Sequence, residues 1–427
     1  MIKLKNILFA LCILQASGTF AQSSSNSPYS QFGLGQLSES LLPQNRSMGG
    51  IAAGLRRPGN YNNVNLANPA SYSAIQITTF DIGVFTGITS LSKGGAKENS
   101  FTGSLNHLTF GIPVNKWSAL SFGLIPYSTL GFKSRSPKTI DTVEINHIYS
   151  GDGGVSKAYV GYGFQILPKL SLGANLSYLF GKLEKNRDTE FPTDIDFINT
   201  RNSVSRSVGG VSLDYGAQYY TKVSKDRKLT LGYSGTIQSK VKSNTDYVTS
   251  EYTVDASGND NLPLSSTKTD SVSEKLTLPF THRFGLVLEE TNKWLVGTDV
   301  TLGQWSKYRE GSSNPGLRNS MGIAIGAQIT PDITSVGSYF KLVDYRFGFK
   351  YDKTYVRYNN TDLKQYALTL GLGLPLPSNR TTFYKLNLGA ELGQRGSTNN
   401  GLIRERFANI YIGFTINDKW FQRYKFD

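Results

Sequence analysis

Cysteine is almost absent from this 427-residue sequence, and the single one, Cys12, falls within the first twenty-one residues. With that stretch removed on export, as argued below, disulfides and thiolate metal centres are excluded from the remaining chain. Histidine is nearly as scarce, with three residues, and His107, His147 and His282 are not spaced like a metal pair. No metal or cofactor is therefore expected. Also missing from the body of the chain is any run of ~20 apolar residues of the kind a spanning helix needs. Mean hydropathy is −0.29, which excludes a bundle of membrane helices. It does not exclude a β-barrel, in which only alternate residues of each strand meet lipid.

Tyrosine (24), phenylalanine (23) and glycine (44) are abundant instead. Aromatics favour strands, and glycine favours tight turns and close backbone approach. The composition fits one large all-β unit better than several soluble domains.

The first residues bear on the compartment. Lys3 and Lys5 precede an apolar core at 7–14 that is too short to span, and Thr19-Phe20-Ala21 offers small residues at a cleavage site. Residues 1–21 are read as a signal peptide cut after Ala21, leaving Gln22 first. Leu11, before Cys12, is not the small residue a lipoprotein signal needs. Loss of Lys3 and Lys5 lowers the formal charge from +14 to +12 (14 minus 2, with no acid in the leader). An exported chain rarely meets nucleic acid. The positive charge is expected to face outer-membrane lipid and lipopolysaccharide, or an acidic partner.

Period-two alternation recurs down the chain. Leu170, Leu172, Ala174, Leu176, Tyr178 and Phe180 alternate with Ser171, Gly173, Asn175 and Ser177. The same pattern runs through 366–374, 384–392 and 408–416. Strands are predicted near 77–90, 103–113, 117–131, 154–166, 169–183, 206–223, 228–241, 274–289, 293–304, 317–330, 342–352, 363–375, 381–394 and 404–416. That makes about fourteen, an even number, as expected of a transmembrane antiparallel β-barrel. Short turns at 115–116, 167–168, 225–227 and 290–292 alternate with long polar connections near 132–153, 184–205 and 242–273. A membrane imposes such alternation, with turns in the periplasm, long loops outside and both mature ends periplasmic. Trp117, Trp294 and Trp420 each stand beside a predicted periplasmic boundary.

Residues 22–75 show no alternation and are punctuated by glycine, asparagine and proline, as in 44–50 and 54–59. They hold too much leucine, isoleucine and methionine for a free tail. The expected organisation is a leader at 1–21, a hatch or plug in the lumen at 22–75, and a barrel at 76–427.

Asn68-Pro69-Ala70, preceded by Met48-Gly49-Gly50 and followed by a first strand near 77, resembles the FadL family of outer-membrane transport proteins. The resemblance extends through Ile112-Pro113-Val114, Leu124-Ile125-Pro126 and Tyr345-Arg346-Phe347-Gly348-Phe349. Ser27-Pro28-Tyr29-Ser30 and the tail from Lys419-Trp420-Phe421 look most like the Bacteroidota branch. That branch includes barrels of the type IX secretion translocon, the PorV and Plug subunits. The resemblance implies fourteen strands, passive uptake of hydrophobic small molecules and gating by the hatch at Met48, Gly49, Gly50, Asn68, Pro69 and Ala70. For the secretion relatives it implies a closed barrel that serves a protein partner. The outer connections, with Asp188, Glu190, Asp194, Asp246 and Asp270, are more polar than an apolar capture groove would be.

Strand phase turns Asp81, Asp214, Arg283, Asp299, Arg346, Lys385 and Glu391 into the lumen, where charges must be hydrated or paired. Arg46, Arg56 and Arg57 of the hatch are the expected partners of Asp81, Asp214 and Asp299. The cluster reads either as a network locking hatch to wall or as a polar constriction. A hydrolase would need a histidine near a serine with a carboxylate or amide to orient it; His147 and Ser150 lie close in sequence but in an expected loop, and are read as ordinary loop residues. The run 255–260 loosely resembles a calcium loop without its terminal bidentate carboxylate. The chain is not expected to be an enzyme.

Overall fold

The computed structural model describes residues 27–56, 61–192, 197–255, 260–261, 263–378 and 381–419. The leader with Cys12, Arg57, Asp194, residues 256–259 and Trp420 lie outside the described residues. In chain order the strands are β1 (Gln36–Leu37), β2 (Thr78–Lys93), β3 (Ala96–Asn115), β4 (Ser118–Ile140), β5 (Val143–Leu167) and β6 (Leu170–Glu190). They continue with β7 (Asn199–Lys222), β8 (Arg227–Thr236), β9 (Ser239–Tyr252), β10 (Ser265–Leu278), β11 (Thr281–Glu290) and β12 (Trp294–Gly303). The last six are β13 (Arg309–Glu310), β14 (Ser320–Ile329), β15 (Asp344–Tyr358), β16 (Thr361–Leu376), β17 (Thr382–Arg395) and β18 (Arg404–Asp418).

Two wall strands are bent. β8 breaks at Ile237 and Gln238 before continuing as β9, and β10 breaks at Pro279 and Phe280 before β11. β8 pairs with β11, β9 pairs with β10, and β7 spans both levels. With each bent pair taken once and β1 and β13 set aside, fourteen antiparallel strands form the wall. It closes where β18 pairs with β2 from Arg404↔Ser92 to Asp418↔Thr78. Closure leaves no sheet edge at the ends of the chain, which a structure immersed in lipid requires.

Alternation explains the wall. Leu176, Tyr178, Leu368, Leu370 and Ile410 point outward and are exposed, whereas Asn175, Ser177 and Thr369 between them are buried. Leaving a leucine in water costs roughly 1.5–3 kcal/mol relative to burying it. An exposed belt of such residues around a closed barrel is a lipid-facing surface. The fold is an outer-membrane type barrel.

The long connections differ from expectation. Residues 132–140 and 143–153 continue β4 and β5 as a hairpin, and β6–β7 and β9–β10 likewise rise as strands through most of 184–205 and 242–273. Polar residues on both faces remove the hydrophobic alternation there, so strand and loop look alike in sequence. His147 and Ser150 are accordingly on β5 and not in a loop. Three residues apart, they face opposite sides of the strand. At the opposite end, 330–343 is a long connection carrying a 3-10 turn, Tyr339–Lys341. The two ends are called below the hairpin end and the short-turn end.

Candidate functional site: the lumen and a break in the wall

Residues 27–56 and 61–77 pack against the inner wall. Ser27 is at the hairpin end, where its hydroxyl donates to Glu405 at 2.6 Å and Tyr29 donates to the Ile403 carbonyl at 2.7 Å. β18 ends at the short-turn end; Gln22 lies outside the described residues. From Ser27 the segment descends to the 3-10 helix Pro69–Ala74, which precedes β2.

Inward-facing glycines make room for it. Gly163, Gly173 and Gly216 pair directly across β5, β6 and β7, and Gly297, Gly326 and Gly348 across β12, β14 and β15. A β-carbon on Gly173 would collide with the Pro69 carbonyl, and one on Gly348 with the Gly49 amide. Gly49 is itself forced: its φ is +67°, and a side chain there would meet the Ile325 and Phe349 carbonyls at 2.6 and 2.7 Å. Neighbouring Met48 is fully buried, and the Gly49 amide donates to Thr369 Oγ1 at 2.8 Å.

Polar anchors complete the docking. Asn68 Nδ2 donates to the Ala53 carbonyl at 2.7 Å and the Ala217 carbonyl at 3.2 Å, while its Oδ1 caps the Pro69–Ala74 turn through the Ala70 amide. Ala70 is fully buried beside it. Asp299 Oδ2 accepts from the Ala52 and Ala53 amides at 2.8 and 2.9 Å and faces Arg283 at 3.6 Å. Arg283 donates to the Gly50 carbonyl at 3.0 Å.

The expected pairing of Arg46 and Arg56 with Asp81, Asp214 and Asp299 does not occur. Arg56 donates to Ser171, Gln218 and Ser73 and lies 4.1 Å over the Tyr220 ring. Arg46 donates to the Glu39 and Leu41 carbonyls and lies 4.8 Å over Tyr411. The three carboxylates find nearer donors: Asp81 takes His107 and Thr415, Asp214 takes Lys157 and Thr236, and Asp299 takes backbone amides. Arg346 and Lys385 share Asp344, with Arg346 also bonded to Gln328 and Asn387. Glu391 accepts from Lys350 at 2.6 Å and Tyr411 at 2.8 Å.

The wall is interrupted between β3 and β4. Among the described residues the two strands pair only from Asn115↔Ser118 to Leu108↔Leu124. Beyond that level β3 stays on β2 and β4 stays on β5. Two bulges begin the divergence, one at Asn106 on β3 and one at Tyr127 on β4. Pro126 lies between the last pair and the second bulge, and has no amide proton to offer β3. The amino-terminal segment covers part of the freed β4 edge. Gln36 and Leu37 (β1) pair with Thr129 and Ser128, the Ser38 amide donates to the Tyr127 carbonyl, and Ser30 Oγ bonds Gly131.

A cavity of about 460 Å³ reaches this break. Ser104, Leu105 and Asn106 border it from β3, Pro126, Tyr127 and Thr129 from β4, and Leu37, Glu39 and Arg46 from the segment. Arg283, Lys350, Asp352, Glu391 and Tyr411 form its far wall. Burial works against the ionised form of Glu39, but Lys350, Arg46 and Arg283 outweigh it and hold its carboxyl below the ordinary range. The cavity thus has a charged floor of both signs and a mouth between strand edges. Apolar clusters flank it: Tyr29, Leu34, Leu130, Val241, Trp305 and Tyr308 towards the hairpin end, and Leu42, Val64, Tyr72 and Tyr159 towards the short-turn end.

Sequence reasoning missed Glu39, Lys350, Asp352, Lys157 and Asp344. Lys350 and Asp352 were visible as polar members of the inward phase of β15. Glu39 carried no signal, because the segment has no period.

The model of the BamG family matches residues 1–427. No curated protein sequence matches the chain. Among solved structures, the toluene transporter TodX of Pseudomonas putida is similar at TM-score 0.58 and 15% identity, covering 90% of this chain and 99% of that one. A FadL homologue of Pseudomonas aeruginosa gives 0.58 and 13%, covering 90% and 100%. The monoaromatic hydrocarbon channel CymD gives 0.54 and 15%, covering 92% and 100%. At these identities the likeness establishes a shared fold.

Proposed function

The chain belongs to the BamG family, and on that footing we propose that it is an outer-membrane barrel that exchanges a small amphiphile with the membrane through the β3–β4 break. The break carries this reading. It joins an interior cavity to the lipid-facing belt at a point where Leu105 and Phe101 are exposed outward. Structural neighbours described as hydrocarbon and toluene channels support it. The charged floor selects a ligand with a polar head near Glu39, Arg46 and Lys350 and an apolar tail towards Leu105 and Tyr127. The amino-terminal segment is the hatch: 43–56 and 61–75 are its anchored parts, tied through Met48-Gly49-Gly50 and Asn68-Pro69-Ala70. Residues 27–41, which line the mouth, are the part that moves. The hairpin end is outermost, and residues 1–21 are removed on export.

The test is binding of a fluorescent fatty-acid analogue to the purified barrel, compared with Leu105→Trp and Thr129→Trp. Saturable binding weakened at least 5-fold by both substitutions supports the proposal. Absence of binding, or binding untouched by either, removes it.

One observation favours a second reading, a barrel that serves a protein partner such as a secretion complex. The 330–343 connection exposes Val336 and Phe340 at the short-turn end. Recovery of a stoichiometric protein partner from mild detergent, lost with Phe340→Asp, would establish that role.

A further inference from the structure

Three lysines stand together on the outer face of the wall with no acidic partner among the described residues. Lys242 of β9 is directly opposite Lys275 of β10 and, on its other side, opposite Gly209 of β7, which is opposite Phe180 of β6. Directly opposed residues share a face, so Phe180, Gly209, Lys242 and Lys275 form one cross-strand row. Lys240 lies two residues along the same face, opposite Thr277. Phe180 and its stacked neighbour Tyr178 are exposed outward, and the row continues the lipid-facing belt at its hairpin-end margin.

The neighbouring acids are engaged elsewhere: Glu184 with Lys182, Glu274 with Arg206 and Asp246 with Lys268. Two like charges directly opposed on adjacent strands destabilise a sheet. Lys240, Lys242 and Lys275 also converge with Asn244, Ser273 and Thr277 on one groove, which Gly311 and Glu274 border as well, the Glu274 carboxylate lying 3.7 Å from Arg206. Ammonium groups with hydroxyl and amide donors are suited to a phosphate monoester.

We propose that this groove binds a phosphate of the glycolipid that forms the outer leaflet, with the sugar headgroup over the lysines and acyl chains along Phe180 and Tyr178. Placement at the apolar margin selects a lipid-borne phosphate, because a free anion gains nothing from the aromatic row. The site rests on the hairpin end being outermost, and is independent of whether the cavity takes a ligand.

The experiment uses full-length barrel extracted in mild detergent and assayed by native mass spectrometry for retained lipid. Compared are the unaltered protein, Lys240→Gln/Lys242→Gln/Lys275→Gln, and a control in which exposed Lys93 and Lys97 are changed to Gln. An arginine version of the triple variant keeps the charge and guards against a folding defect. The expected result is about one lipid A per barrel for the unaltered, control and arginine proteins, reduced at least 5-fold in the glutamine variant. Equal retention by the glutamine variant overturns the site. Displacement of lipid A by inorganic phosphate alone, or equal retention of phosphatidylglycerol, overturns the assignment to the outer-leaflet glycolipid. Preference for phospholipid with the same lysine dependence overturns the orientation on which the site rests.

Discussion

Gly348 of the wall and Gly49 of the amino-terminal segment approach so closely that a β-carbon on Gly348 would lie 2.2 Å from the Gly49 amide nitrogen. The contact has no slack, because Gly326 on the neighbouring strand closes on the Met48 carbonyl in the same way. Overpacking a well-filled site costs about 1–3 kcal/mol, and more where backbone must move. Gly348→Ala is therefore expected to lift the segment from its trough. Limited trypsin digestion should cut after Arg46 or Arg56 at least 10-fold faster than in the unaltered protein, while the wall stays intact.

Asp299 secures the same segment through charge. Its carboxylate accepts two consecutive amides, and Asp299→Ala leaves both donors buried and unpaired. The expected loss is about 2–4 kcal/mol of stability, read as a lower unfolding temperature of the detergent-solubilised barrel. Asp299→Asn, which keeps an acceptor, should lose less than half as much. Equal losses would mean that the carboxylate acts through Arg283 instead.

These contacts mark what the sequence disclosed and what it hid. Alternation at 170–180 or 366–374 displays strand, phase and lipid face together, because a barrel wall is a period-two object throughout the membrane. The break at β3–β4 leaves no such mark: both strands stay paired with β2 and β5, each slipping by one residue at its bulge, and only the lost pairing with each other reveals the break. Pro126 was legible as a residue without an amide proton, but not as the start of a gap. The rising hairpins were hidden because Lys133–Ile140 and Ser265–Lys275 are polar on both faces. Lumen partnerships depend on heights across several strands. Lys385 on β17 reaches Asp344 on β15 across Gly373 of β16, a relation no linear spacing encodes.

Glu39 gives a pH signature. Its carboxyl is held below the ordinary range in the folded state, so it contributes stability above its unfolded pKa of about 4.3. That contribution is lost as pH falls through the lower folded value. The unaltered protein should exceed Glu39→Gln in unfolding temperature at pH 7, and the difference should shrink towards zero in acid. A difference that grows on acidification would contradict the role given to Lys350, Arg46 and Arg283.

The central claim is that the β3–β4 break is an entrance to the cavity. The most direct measurement is anomalous diffraction from crystals of the barrel soaked with a fatty acid brominated at its tail. The account predicts a bromine peak between Asn106 and Tyr127, with the head towards Arg46 and Lys350. A cavity free of bromine, with peaks only along the outer belt, would contradict it.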